Sequence, residues 1–184
     1  FAYPDEPERM ILHDVNFEIK PGETIALVGP TGAGKSTIVH LISRFYNATE
    51  GSVRIDGHDI QEVTLKSLRK QMGVMAQDNY LFSGTIKDKS DATDEEIIRA
   101  AKAVHAHEFI MELEKGYDTE ISERGARLSN GQRQLLAFAR TMVSNPSILI
   151  LDEATSSIDT HTEILVQEGI ESLLKGRTSF IIAH

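Results

Sequence analysis

The run Gly29-Pro30-Thr31-Gly32-Ala33-Gly34-Lys35-Ser36 follows the spacing G-x-x-x-x-G-K-[ST] without a gap. Its chemistry is anion binding. Glycines let a backbone fold closely around a phosphate with its N–H groups turned inward. A helix starting near Lys35 adds the positive end of its dipole. Lys35 is then placed to reach the β- and γ-phosphates of a nucleotide and the Ser36 hydroxyl to ligate Mg²⁺, with Thr37 next to them on the same nucleotide. The bland alternative is a glycine turn that binds nothing. A buried strand before the loop and a helix after it argue against that. Alone, the motif means an NTP hydrolase or a nucleotide kinase.

A second pair of groups, Asp152 and Glu153, closes the apolar run Ile148-Leu149-Ile150-Leu151. A carboxylate at the carboxyl end of a parallel strand sits at the ligand edge of its sheet. Asp152 is expected to hold Mg²⁺, through water. Glu153, one residue on, can act as general base toward an attacking water. The plain alternative, a solvated Asp-Glu pair opening a loop, loses weight beside the phosphate loop. A Glu next to the Mg²⁺ carboxylate favours hydrolysis over transfer to a second substrate.

The elements that position these groups follow from periodicity. Val15, Phe17 and Ile19 alternate with Asn16, Glu18 and Lys20 in the manner of a strand, and Pro21-Gly22 turns the chain into Thr24 to Val28, apolar on both faces. After the glycine loop, Ile38, Leu41, Ile42 and Phe45 mark one face of a helix. Gly51 to Gly57 reads as a short strand between turns, Leu65 to Lys70 as a short helix, and Gly73 to Ala76 as a strand. Residues from about 94 to 115 carry an apolar helical face of Ile97, Ile98, Ala101, Val104, Phe109 and Leu113. A further helix over Asn130 to Val143 stops at Asn145-Pro146. Ser147 to Asp152 is a buried strand, about Thr160 to Leu174 a helix, and Thr178 to Ala183 the last strand. The predicted fold class is α/β.

Leu128-Ser129-Asn130-Gly131-Gln132 lies on a loop entering a helix, just upstream of the acidic strand. Here the sequence resembles the ABC ATPases, whose signature reads L-S-G-G-Q. Four of the five positions match, the departure being Asn130, and Asn is the side chain that best tolerates a positive φ. The resemblance covers essentially the whole chain, with the motifs in the family's order. It implies a P-loop NTPase core with a mainly parallel sheet, an N-terminal antiparallel β subdomain and an inserted α-helical subdomain. That subdomain spans about residues 86–145 within one ABC ATPase domain over 1–184. The implied cofactors are ATP and Mg²⁺. Ser129, Asn130, Gly131 and Gln132 would form a second phosphate nest, closing over the γ-phosphate held by the phosphate loop of an opposed second nucleotide-binding domain, identical or related. Tyr3 matches the aromatic that stacks on adenine. Gln77 matches the glutamine that senses Mg²⁺ and the attacking water. Asp159 matches the residue that contacts the opposite domain, and could cap a helix as well. His184 matches the histidine on the γ-phosphate. The other six histidines read as surface or core residues.

Two stretches resemble the exporter type, as in multidrug or lipid exporters. These are Thr119-Glu120-Ile121-Ser122-Glu123-Arg124-Gly125 and Asp78-Asn79-Tyr80-Leu81-Phe82-Ser83-Gly84-Thr85-Ile86. In exporters such segments touch the cytoplasmic ends of transmembrane helices, so Tyr80, Leu81 and Phe82 offer a socket for a partner. Local packing is the plain alternative for those three. The path from Asp88 to Asp94 is several residues shorter than in exporters.

Composition sets limits on all this. The 184 residues suit one domain, and hydrophobic and charged fractions of 40% and 26% are those of an ordinary globular protein. Nineteen Lys and Arg against 28 Asp and Glu leave a formal charge of −9, which argues against a nucleic-acid partner. Without cysteine there is neither disulfide nor thiolate metal site. No apolar run approaches the roughly 20 residues that span a bilayer, so any membrane attachment would run through a partner or a further part of the chain. The family resemblance implies transmembrane domains as that partner and a place at the cytoplasmic face of a cell membrane. Both ends read as cut from something longer. A soluble ABC ATPase acting on DNA or the ribosome is disfavoured by charge and by the exporter-like stretches. A phosphoryl transferase is disfavoured by the signature and Glu153. A catalytically dead domain is disfavoured because Lys35, Asp152, Glu153 and His184 are all present.

Overall fold

The computed structural model describes residues 1–75, 84–87, 91–121, 128–152 and 159–183. Its centre is a parallel sheet of four strands: β1 (Thr24–Leu27), β4 (Met72–Met75), β7 (Ile148–Asp152) and β8 (Thr178–Ile182), in the order β1-β8-β7-β4. Three segments of very different length separate them in sequence. The first holds α1 (Lys35–Ile42), the hairpin β2 (Arg54–Ile55) and β3 (His58–Asp59), and α2 (Leu65–Lys70). The second holds β5 (Gly84–Thr85), α3 (Asp94–Ala103), α4 (His107–Glu112), β6 (Glu120–Ile121) and α5 (Asn130–Ser144). The third is α6 (Thr160–Leu174). The α/β class expected from the sequence is therefore present, with a mainly parallel sheet and small antiparallel pairs beside it.

Alternation within the central strands sorts side chains to two faces. On β7, Leu149 and Leu151 join one buried cluster with Leu135, Leu136 and Phe138 of α5 and Val166, Ile170 and Leu173 of α6. Ile150, between them, joins the other cluster with Phe180 and Ile182 of β8 and Val39 and Ile42 of α1. The sheet is thus covered on one side by α1 and on the other by α5 and α6. Burying a large aliphatic side chain contributes about 1.5–3 kcal/mol, and Ile110, Leu135, Leu136, Leu149, Ile150 and Leu173 are all essentially inaccessible. The inserted helices share the first cluster, since Ile97, Ala101, Val104, Phe109 and Ile110 lie in it.

Four details differ from the sequence reading. Residues 15–20 form no regular strand, and Val15 and Phe17 stay about half exposed. Their alternation has no neighbouring strand to pair with among the described residues. β1 is an edge strand with Ala26 exposed, not a strand buried on both faces. The helix after the phosphate loop ends at Ile42, which leaves Phe45 beyond it and exposed, with the Arg69 guanidinium 5.2 Å over its ring. The single helix expected from about 94 to 115 is two. His105 takes φ 60 after α3, its N–H reaching Lys102 O and that of Ala106 reaching Ala101 O. This is a glycine-type helix stop built on histidine, and no glycine marks it in the sequence. Arg44, φ 54, ends α1 in the same way.

Candidate functional site

Strand register fixes the site. Leu27 of β1 lies opposite Ile182 of β8, and Ile182 lies opposite Asp152 of β7. On the other side of β7, Leu151 lies opposite Met75 of β4. The carboxyl ends of all four strands therefore form one row. The phosphate loop leaves this edge from β1, Asp152 stands on it, and the chain beyond β8 and β4 leaves from the same edge. An open α/β sheet binds its ligand along such an edge.

The loop itself is held by its glycines and by Lys35. Gly32 and Gly34 have φ 85 and 92, in the left-handed region that side chains avoid. A Cβ on Gly34 would stand 2.8 Å from Leu12 Cδ2, so the Leu12 side chain would have to shift to admit one. Gly34 ends the loop as the residue before α1, with no side-chain cap. The first N–H groups of α1 thus face outward from a turn that only a small residue can make, as an anion cradle requires. Lys35 is 9% exposed. Its ammonium donates to the carbonyl oxygens of Gly29 and Pro30, drawing the loop together at its base. Ser36 is exposed and Thr37 buried.

Tyr3, expected on adenine, packs beside this helix. It is half-buried among Phe1, 5.0 Å away between ring centres, and Tyr46, 4.9 Å away. Its hydroxyl lies 2.8 Å from Thr37 Oγ1 and 3.1 Å from His40 Nδ1. His40 escaped the sequence reading, which set six histidines aside. The signal was available: Thr37 and His40 stand three residues apart on one helix face.

Ser129 is exposed and precedes α5 as its N-cap. Its hydroxyl accepts from Gln132 N–H at 3.2 Å, and Gln132 Oε1 accepts from Ser129 N–H at 3.0 Å. Ser129 and Gln132 thus form a capping box, leaving Asn130 exposed at the helix start. Asp159 caps α6 with Oδ2 on Thr162 N–H at 2.9 Å, and that backbone hydrogen bond holds its carboxyl below the usual range. Gln77, Glu153 and His184 lie outside the described residues, as do Tyr80, Leu81 and Phe82, Ser157-Ile158 and Ser122 to Gly125. Among the described residues no group of three His, Cys, Asp or Glu could hold a metal ion. The donors at the edge, the Ser36 hydroxyl and the Asp152 carboxylate, instead suit a Mg²⁺ that shares its shell with phosphate and water.

The two exporter-like stretches meet. β5 pairs antiparallel with β6, Gly84 opposite Ile121 and Thr85 opposite Glu120. Lys87 adds ion pairs to Asp94 at 3.3 Å and Asp118 at 3.4 Å.

A family model described as ABC transporter matches residues 12–156. The chain belongs to the ABC transporter family. It is also similar, at 51% identity, to a protein of Staphylococcus aureus (strain NCTC 8325 / PS 47) named a multidrug export ATP-binding/permease protein, with 100% of this chain and 32% of that protein covered. The uncharacterized ABC transporter ATP-binding protein YknV of Bacillus subtilis (strain 168) is equally similar, 51% identical over 100% of this chain and 31% of its own length. The chain thus spans about a third of the length of these relatives. The first alignment runs over 189 positions against 184 residues here, so at least five positions of the relative have no counterpart. Within the ABC transporter family this is an ATP-binding chain, and none of its described helices is long and apolar enough to cross a membrane.

Proposed function

We propose that this chain binds and hydrolyses ATP and drives export of a substrate across a membrane through transmembrane domains, working as one of two nucleotide-binding domains opposed head to tail. One observation carries the reading. The register Leu27–Ile182–Asp152 brings the phosphate loop and an acidic strand end to one sheet edge.

At that edge the chain's own groups have distinct roles. The backbone from Gly29 through Pro30, Thr31, Gly32, Ala33 and Gly34, with Ser36 and Thr37, wraps the phosphates. Lys35 exchanges the carbonyls of Gly29 and Pro30 for phosphate oxygens, which bind an ammonium more strongly because they are charged. Tyr3 receives the base. Ser36, Asp152 and Gln77 hold Mg²⁺, which when bound neutralises charge on the transferring phosphoryl group. Glu153 takes the proton of the attacking water, and His184 steadies the γ-phosphate. Ser129, Asn130, Gly131, Gln132 and Asp159 serve the opposed domain's nucleotide. Both helix caps that hold Ser129 and Asp159 are compatible with this, since each leaves its residue exposed.

The 1–184 stretch acts as one ABC ATPase domain, in which about 86–145 forms the signature-bearing subdomain. The pairing of β5 with β6 supports a shared docking face for transmembrane helices, because it joins the two exporter-like stretches. The permease part of the relatives' printed names supports the same partner, and with it a place at the cytoplasmic face of the cell membrane.

Two variants test the chemistry. Lys35→Ala is expected to weaken ATP binding at least about a hundredfold, because the phosphates lose their fixed cation. Glu153→Gln is expected to bind ATP yet hydrolyse it at least about a hundredfold more slowly in a single turnover. Near-native hydrolysis by Glu153→Gln would assign the base elsewhere, and unchanged binding by Lys35→Ala would remove the phosphate site.

A further inference from the structure

Tyr3 is tethered by its hydroxyl, not only by its ring. The oxygen sits between Thr37 Oγ1 at 2.8 Å and His40 Nδ1 at 3.1 Å, and Thr37 is 5% exposed. Both partners belong to α1, the helix that issues from the phosphate loop. We propose that His40 is a positioning residue of the nucleotide site, fixing the orientation in which Tyr3 meets the base. This rests on the reading of the chain as an ATP-binding domain with Tyr3 at the base.

The proton count shows what position 40 must supply. Thr37 and Tyr3 each own one hydroxyl proton, and a phosphate oxygen only accepts. With nucleotide in place, the Thr37 proton points to phosphate and the Tyr3 proton to Thr37. The Tyr3 oxygen then has a lone pair left toward His40, so His40 Nδ1–H donates. Every donor is used once, and the base platform and the phosphate helix are joined through one phenol oxygen. Without a donor at 40, the Tyr3–Thr37 bond and the Thr37–phosphate bond both survive. What is lost is the second tether. A phenol held at one point can swing about that bond, so the base should suffer and the phosphates should not.

The alternative is that the rings alone hold Tyr3, through its edge contacts to Phe1 and Tyr46. Removing only the hydroxyl separates the two. The experiment measures equilibrium binding of ATP and of inorganic tripolyphosphate, which has no base, to the full-length protein. The variants are Tyr3→Phe, His40→Leu, their double, His40→Gln and Tyr3→Ala. His40→Leu should weaken ATP about fivefold, the worth of one net hydrogen bond, and Tyr3→Phe at least as much, since it loses the bonds to both Thr37 and His40. The double should be no weaker than Tyr3→Phe alone, because the bond to His40 is already absent there. His40→Gln keeps an N–H donor and should restore ATP affinity to within about twofold, while tripolyphosphate affinity stays level in His40→Leu. If Tyr3→Ala weakens ATP but Tyr3→Phe and His40→Leu do not, rings alone hold the platform and His40 has no positioning role. If Tyr3→Ala leaves ATP affinity unchanged, Tyr3 does not meet the base, and both that assignment and the role of His40 fall.

Discussion

At the residue scale, the phosphate loop shows how a side chain and a missing side chain share one task. Lys35 can lie buried only because two loop carbonyls receive its ammonium. Those carbonyls come within reach because Gly32 and Gly34 take backbone angles closed to most residues. Gly34→Ala should therefore act through shape. It adds about 1–2 kcal/mol of left-handed backbone strain, and its methyl meets Leu12 at 2.8 Å. ATP affinity measured by titration should fall tenfold or more if about 1.4 kcal/mol of that strain is relieved by opening the loop. Binding within twofold of the parent would mean that the loop does not need this geometry. The loop was legible in the sequence because its glycines are spaced for one purpose. His40 was legible only in part: its spacing from Thr37 puts both on one helix face, but nothing local says that Tyr3 reaches them. Tyr3 and His40 are 37 positions apart in sequence.

At the element scale, ends of helices decide where the site residues stand. Ser129 and Asp159 are positioned as N-caps, with the hydrogen bonds such residues make. The sequence shows these starts, and it shows the stop of α5, where Asn145 at φ 46 precedes Pro146. It hides the stops after α1 and α3, where Arg44 and His105 occupy positions that glycine usually takes. It also overstates residues 15–20, since alternation alone makes no strand without a partner. Arg177 joins three of the element ends. It donates to Pro146 O at 3.0 Å before β7, to Leu173 O at 2.7 Å in α6 and to Asn145 Oδ1 at 3.0 Å after α5. Burial lowers its pKa from the ordinary value, and it still remains a cation at neutral pH. Arg177→Met keeps much of the bulk and strands these acceptors. The expected loss is about 2–4 kcal/mol, read from the urea midpoint at constant m-value. A midpoint unchanged by the substitution would show that water serves these carbonyls equally well.

At the scale of the whole molecule, one chain carries a phosphate loop at the sheet edge and a signature at the start of α5, on elements separated by the inserted helices. Ser129 is exposed and bonded only within its own cap among the contacts described. On this account it contributes to a site completed by a second copy or a related domain, with the γ-phosphate bridging the two cradles. The fold class was legible because short apolar runs, Ile25 to Leu27, Ile148 to Leu151 and Phe180 to Ile182, are set between helical patterns. The proposed pairing rests on the family resemblance alone, because a surface serine carries no physical signal of its partner. Sedimentation of this chain with ATP and Mg²⁺ tests the pairing most directly, comparing Glu153→Gln with Glu153→Gln carrying Ser129→Arg. The single variant should shift toward a dimer as nucleotide is added. The double should stay monomeric while binding ATP as tightly as the monomeric single variant does. If Ser129→Arg instead weakens ATP binding to the monomer as much as Lys35→Ala does, the signature acts within one chain and the two-domain account is wrong.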